Sequence, residues 1–273
     1  MNNTPDVTVE LTRAQVVLGA SLLLFLLCAT LPYSWLIQHF GYDDILREPS
    51  TTILHNVRAG GSPLVLAWLA FAVSALLFIP VVYGFRALLA AHGQKDGGAS
   101  ALGVASAIVQ AAGLLRWVLV VPALAAMLTD PQSSPATRDA TLVVFDAVHR
   151  YGGMVMGEMV GQLLLAGWTA LVAAQLWRTR AVPRALAGFG LLTIPLWLLG
   201  QTELLHGVVP EVPSIEVIPL AFMAWEAWLL AIAVVVLARA WQGGRQGRGD
   251  PNQRSANRTH SVAPTGIKAS LKS

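Results

Sequence analysis

The sequence predicts an all-α fold, a polytopic transmembrane helical bundle of six spans, with residues 140–150 either an interfacial helix before the fourth or an extension of it. Three observations predict it. Charged residues make up only 12% of the 273 residues and hydrophobic ones 55%, against roughly a quarter charged in ordinary soluble domains. The apolar residues come in runs of about 20 or more, the length an α-helix needs to cross about 30 Å of hydrocarbon. Short polar connections rich in Gly, Pro and Asp separate those runs. A soluble enzyme or binding domain is excluded by this composition.

The first span takes residues 14–37, with Pro32, Tyr33 and Trp35 near its far end. A proline bend is tolerated there, and aromatic rings suit the headgroup zone. Residues 1–13 precede it as a short segment in which Arg13 stands near Asp6 and Glu10. Without a basic start, and with five more apolar runs following, it reads as a retained span rather than a cleaved signal. The single cysteine, Cys28, lies inside it, so no intrachain disulfide can form. A polar connection over 41–61 carries Asp43, Asp44, Arg47, Glu48 and Arg58. The second span covers 62–83 and continues as a more polar turn to His92, followed by a loop over 93–100.

The third span, 101–128, opens with Gly103, Ala105 and Ala107, small residues that let helices approach closely. Its other half holds Gln110, Arg116, Trp117 and Pro122. A loop over 129–138 offers Ser133, Ser134 or Thr137 as a helix cap. Residues 140–150 alternate Leu142, Val143, Phe145 and Val148 with Asp146 and His149, a pattern compatible with an interfacial helix or with an extension of the fourth span. The fourth span, 154–177, begins after Gly152 and Gly153. The fifth, 184–205, carries Pro195 and ends near Gln201, Glu203 and His206. After a connection over 207–214, the sixth, 215–238, contains Pro219, Trp225, Glu226 and Trp228. The transmembrane domain is thus expected over 14–240, with residues 241–273 a disordered basic tail lacking apolar periodicity.

An even number of spans puts both termini on one side. Placing them in the cytoplasm gathers Arg13, Arg86, Lys95, Arg178, Arg180, Arg184 and the tail cations there, and leaves Arg47, Arg58, Arg138 and Arg150 outside. That bias obeys the positive-inside rule. The tail lacks interleaved aromatics, so no nucleic-acid partner is expected; its partners are the lipid bilayer and anionic lipid headgroups. A membrane-protein partner or a homo-oligomer is also compatible with the sequence.

Charges within the spans are not explained by topology. A Lys, Arg or Asp near a helix centre costs about 2.5 to 3.5 kcal/mol on insertion scales, so such groups face a bundle interior and find partners. Arg116, Glu158, Glu203 and Glu226 are the candidates, all expected in the middle or outer half of the bilayer. Glu158 and Gln162 are four residues apart on one face beside Gly153, Gly157 and Gly161. The glycines are expected to make a helix contact, and Arg116 is the expected ion partner of Glu158.

Glu203 and His206 form a Glu-x-x-His step that can bring two ligands to one metal, with His149 a third candidate. No second copy of the step exists, and no metal or other cofactor is expected. His39, His55, His92, His149 and His206 lie near interfaces or loops and His260 in the tail, which disfavours paired haem ligation. No nucleophile elbow, phosphate loop, zinc-protease helix or dinucleotide fingerprint is present.

The succession from Gln110 through Arg116-Trp117 and Pro122, then Asp130-Pro131, His149-Arg-Tyr-Gly-Gly and Gly157-Glu158, resembles a family of bacterial six- or seven-span membrane proteins catalogued only as a domain of unknown function. The resemblance is sharpest between Gln110 and Trp168. It implies a plasma-membrane location and implicates Arg116, Trp117, His149, Gly157 and Glu158, but no established activity. Histidine often follows Gly-Glu in that family, whereas this chain has Met159, which weakens a metal or proton-relay role.

Whether the protein is an enzyme is left open by its sequence. The favoured reading is a non-catalytic membrane module with a buried Arg116–Glu158 pair. The alternatives are an intramembrane binding or catalytic site open to the extracytoplasmic side, acting on a small or lipid-like molecule, and a proton-coupled transporter. Glu158, Arg116 and His149 are the catalytic candidates, and Arg116, Trp117, Glu158, Gln162, Glu203, His206 and Glu226 the binding candidates.

Overall fold

A computed structural model describes residues 7–42 and 44–246, so the first six residues and most of the basic tail lie outside the described residues. Among the described residues, six stretches are long and apolar enough to cross a membrane. With no water in hydrocarbon to satisfy backbone N–H and C=O groups, helices are the form such stretches must take. The protein is therefore a multi-pass, all-α membrane protein.

Helix α1 spans Val7–Phe40 and α2 spans Ser50–Ala91, joined by a 3₁₀ turn over Asp44–Arg47. Then follow α3, Ala99–Leu119, and the short α4, Val121–Thr129. Next come α5, Pro135–Val148, a π-helical segment, His149–Val160, and α6, Gly161–Thr179. The chain ends in α7, Arg184–His206, and α8, Ile218–Gln246. Each long helix packs on the next, α3 pairs with the π segment and α6, and α8 returns to α1. The six spans thus close into a ring, with both ends of the described chain at the same end of it.

Several element boundaries differ from the sequence expectation, for local reasons. Residues 50–60 of the expected connection are helical because Ile53, Leu54 and Val57 form a buried stripe. Pro49 precedes this helix, and Gly61 (φ 54°, ψ −149°) kinks it just before Pro63, at a backbone conformation L side chains rarely adopt. Pro122 breaks the third span into α3 and α4 at Val120. Of the three candidate caps before the fourth span, Ser134 is used: its hydroxyl accepts from the Thr137 N–H at 3.1 Å. Residues 140–150 do not form a separate helix; α5, the π segment and α6 run on as one 45-residue helix. The sixth span begins three residues later than expected and its helix continues to Gln246, so residues 241–246 are helical.

Two hydrophobic clusters fill the ring. One, at the end carrying the described termini, centres on Trp168, Trp225, Trp228, Phe78 and Phe85. Trp225 donates to the Thr169 hydroxyl at 3.0 Å and Trp228 to the Leu186 carbonyl at 3.0 Å. The other, at the opposite end, joins Phe40, Trp68, Trp117, Val121 and Phe145, with Trp68 and Trp117 stacked at 4.9 Å. Large apolar side chains such as Leu27, Leu31, Leu66 and Leu192 point outward and stay exposed, as lipid-facing residues do.

Candidate functional site

The site lies where the two clusters meet. Its frame is the crossing of α3 with the π segment, which the sequence makes unusually close by placing glycines on both sides. Gln110, Gly113 and Arg116 of α3, three residues apart, face Gly161, Gly157 and Gly153 in antiparallel register. A Cβ at Gly161 would stand 2.6 Å from Gln110 Cγ, and one at Gly153 would stand 2.6 Å from Arg116 Cζ. Ser106 extends the seam by donating to the Gly161 carbonyl at 2.8 Å, and Gln110 donates to Ser106 at 2.8 Å. The glycine stripe is thus the helix contact its spacing implies, and it makes room for the guanidinium.

Arg116 is only 8% exposed. One Nη donates to the Gly113 carbonyl at 2.6 Å, and Cζ lies 5.1 Å from the Trp117 ring centroid. Its Nε has no hydrogen-bond partner among the described residues. Glu158 lines the same cavity and attracts Arg116 electrostatically. Gln162, one turn on, accepts from Gln201 Nε2 at 2.8 Å, which ties α6 to α7.

Three cavities adjoin here. The central one is walled by Tyr33, Tyr42, Phe71, Phe222 and Trp197, with Arg116, Trp117, Glu158 and Gln162 along one side. A water molecule's centre can reach about 100 Å³ within it, room for several waters or a small polar group. The second shares Tyr42, Glu158, Gln162, Ile218 and Pro219 with the first and adds His149, Arg47 and Glu203. Arg47 donates to Glu203 from Nε at 2.9 Å, linking the 3₁₀ turn to the end of α7. The third shares Phe71, Gln110, Leu114 and Phe222 with the first and is otherwise lined mainly by Phe25, Phe78, Leu165 and Trp225. Side by side they form an ion-paired rim, a polar and aromatic chamber and an apolar arm.

Of the residues singled out from sequence, Arg116, Trp117, Glu158 and Gln162 meet in the central chamber, and His149 and Glu203 join Glu158 and Gln162 at the rim. His206 and Glu226 line none of the three cavities. His206 Nδ1 lies 2.8 Å from the Val212 carbonyl, and Glu226 accepts from Thr30 at 3.3 Å. The Glu-x-x-His step is therefore not assembled: among the described residues no group of three His, Cys, Asp or Glu side chains converges. His149 instead stacks on Phe145 at 5.4 Å.

Sequence reading missed Tyr42, Phe71, Trp197 and Phe222 as walls, and Arg47 as the partner of Glu203. Tyr33 it placed only in the headgroup zone. An aromatic residue facing a cavity and one facing lipid look alike in an apolar run. No curated protein and no solved structure matches the chain. One sequence family matches residues 17–234, a stretch that includes every residue of the three cavities, and the chain belongs to that family, described as a domain of unknown function (DUF4386).

Proposed function

We propose that the protein is a non-catalytic membrane module that binds an amphiphile, a lipid-like molecule with a small polar head and an apolar chain. The observation that carries this reading is the adjacency of the three cavities, which share lining residues from the Arg47–Glu203 rim through the Arg116 and Glu158 chamber to the Phe25, Phe78 and Trp225 arm. Concave, largely apolar spaces with a few convergent polar groups are where ligands bind. The chamber lies where the two clusters meet, and its rim of Arg47 and Glu203 faces the end opposite the described termini. With those termini cytoplasmic, as the arginine distribution favours, the rim opens on the extracytoplasmic side of a bacterial plasma membrane. The Trp168, Trp225 and Trp228 cluster fills the other half of the ring, which favours binding over passage through it. The excess of Arg and Lys in the sequence after residue 246 favours anionic headgroups as its partners.

Replacing Ala75, which lines the apolar arm, by Leu tests this reading. Native mass spectrometry from maltoside micelles is expected to show single-chain lipid adducts on the wild type and about tenfold weaker binding by Ala75→Leu, a difference of about 1.4 kcal/mol. Equal adduct levels in both, with both folded, would overturn the proposal.

A further inference from the structure

The polar chamber holds more information than its existence. It contains one fixed cation and one acidic side chain on the same wall, and its other walls are aromatic.

Arg116 cannot lose its proton in a protein, so the chamber always contains a positive charge. Arg116 and Trp197 line the chamber, and each has one buried N–H, Nε and Nε1, without a hydrogen-bond partner among the described residues. Buried donors of this kind are ordinarily satisfied, and a ligand acceptor is one way to satisfy them. Both call for an oxygen acceptor, and beside a guanidinium the favoured acceptor is an anionic one.

Glu158 argues the opposite sign. It lines the same chamber, so a head that is only anionic meets its carboxylate, and one that is only cationic meets the guanidinium. The aromatic walls add to the preference for a cation next to Glu158. Tyr33 is the hub: its ring centroid lies 5.6 Å from Tyr42, 5.8 Å from Phe71 and 5.3 Å from Phe222. Tyr33 and Tyr42 meet at 89° and Tyr42 and Phe71 at 75°, so the rings form angled walls rather than a flat stack. Ring faces arranged around a small space attract alkylated ammonium groups.

We infer that the head of the bound molecule is zwitterionic, with an anionic oxygen group on Arg116 and Trp197 and an ammonium group toward Glu158 among Tyr33, Tyr42, Phe71 and Phe222. The inference rests on the amphiphile-binding reading and names its ligand class. A zwitterionic head meets both charges of the Arg116 and Glu158 wall with its own opposite charges, which a singly charged head does not.

The test compares three lauroyl probes on the purified full chain in maltoside micelles: lysophosphatidylcholine (zwitterionic), lysophosphatidylglycerol (anionic) and lauroylcholine (cationic). Free phosphocholine is the fourth probe. Affinity is read by native mass spectrometry and by the ligand-induced rise in Tm, with Ala75→Leu as baseline. The zwitterionic lipid is expected to bind about tenfold or more tightly than either singly charged one. Glu158→Gln is expected to remove its advantage over the anionic lipid, and Phe222→Leu to weaken it relative to the anionic lipid in a chain whose charges are intact. Equal or tighter binding of a singly charged lipid by the wild type overturns the zwitterionic head and leaves the amphiphile reading standing. No binding above baseline by any probe overturns both. Free phosphocholine binding as tightly as the lipid supports the head assignment and overturns the need for a chain.

Discussion

Gly113 of α3 and Gly157 of the π segment cross so closely that a Cβ on Gly113 would stand 2.8 Å from the Gly157 Cα and 2.8 Å from the Gly152 carbonyl oxygen. The obstacles are backbone atoms, which cannot turn aside as a side chain can. Gly113→Ala is therefore expected to push the two helices apart and cost about 1 to 3 kcal/mol, the usual range for overpacking. Thermal unfolding in maltoside micelles measures it. A Tm within one degree or so of wild type would contradict the close crossing.

Arg116 and Glu158 line one chamber, where the carboxylate attracts the buried guanidinium. Arg116→Met and Glu158→Gln are each expected to lower stability by about 3 to 5 kcal/mol, because each strands the opposite charge. The double variant is expected to recover part of that loss, with a coupling energy of about 1 kcal/mol or more. Additive losses in the cycle would show that the two side chains are independent.

The rim pair behaves differently. The Arg47 and Glu203 side chains are 39% and 22% exposed, so water and salt screen their attraction. Glu203→Gln is expected to change stability by less than about 1 kcal/mol, and the remaining effect is expected to shrink as salt is raised. A loss as large as that of Glu158→Gln would mean that the rim is part of the structural core.

Topology yields a direct check. Lys95 and Gln132 are exposed and lie in connections at opposite ends of the third span. In a Cys28→Ala background, a membrane-impermeant maleimide applied to intact cells is expected to label Gln132→Cys and spare Lys95→Cys. The reverse pattern would invert the orientation, and labelling of both would break the order of the spans.

What could be read from sequence and what could not divide along a physical line. Apolar runs and the positions of arginines are one-dimensional signals, so the number of spans follows from them directly. The Gly153, Gly157 and Gly161 stripe is also legible, since residues about four apart share a helix face whatever the neighbour is. Which helix the stripe meets depends on rotation about each axis, and an apolar run facing lipid on one side and protein on the other carries little record of that angle. Tyr42, Phe71 and Phe222 were invisible as chamber walls for this reason. The Arg47–Glu203 pair joins residues 156 apart in the chain, and only the closed ring brings them together. The helix over 50–60 was hidden by Arg58, Gly60 and Gly61, which disguise a short buried stripe as a loop.

The π segment changes how chain length relates to structure in this protein. Across residues 149–160 the hydrogen bonds reach five residues back, as from the Gly161 N–H to the Met156 carbonyl, so each turn takes up about one residue more than an α turn. The rod from Pro135 to Thr179 is continuous, yet its two halves do not share one helical wheel. A wheel phased on α6 assigns the wrong face to α5. By the same geometry, a related chain one residue shorter in this stretch can close one wide turn and still leave Ser134 and Trp168 where they are. The same deletion inside α6 would rotate Trp168 out of its contact with Phe85, a ring-to-ring distance of 5.3 Å. Insertions and deletions among relatives should therefore gather between His149 and Val160.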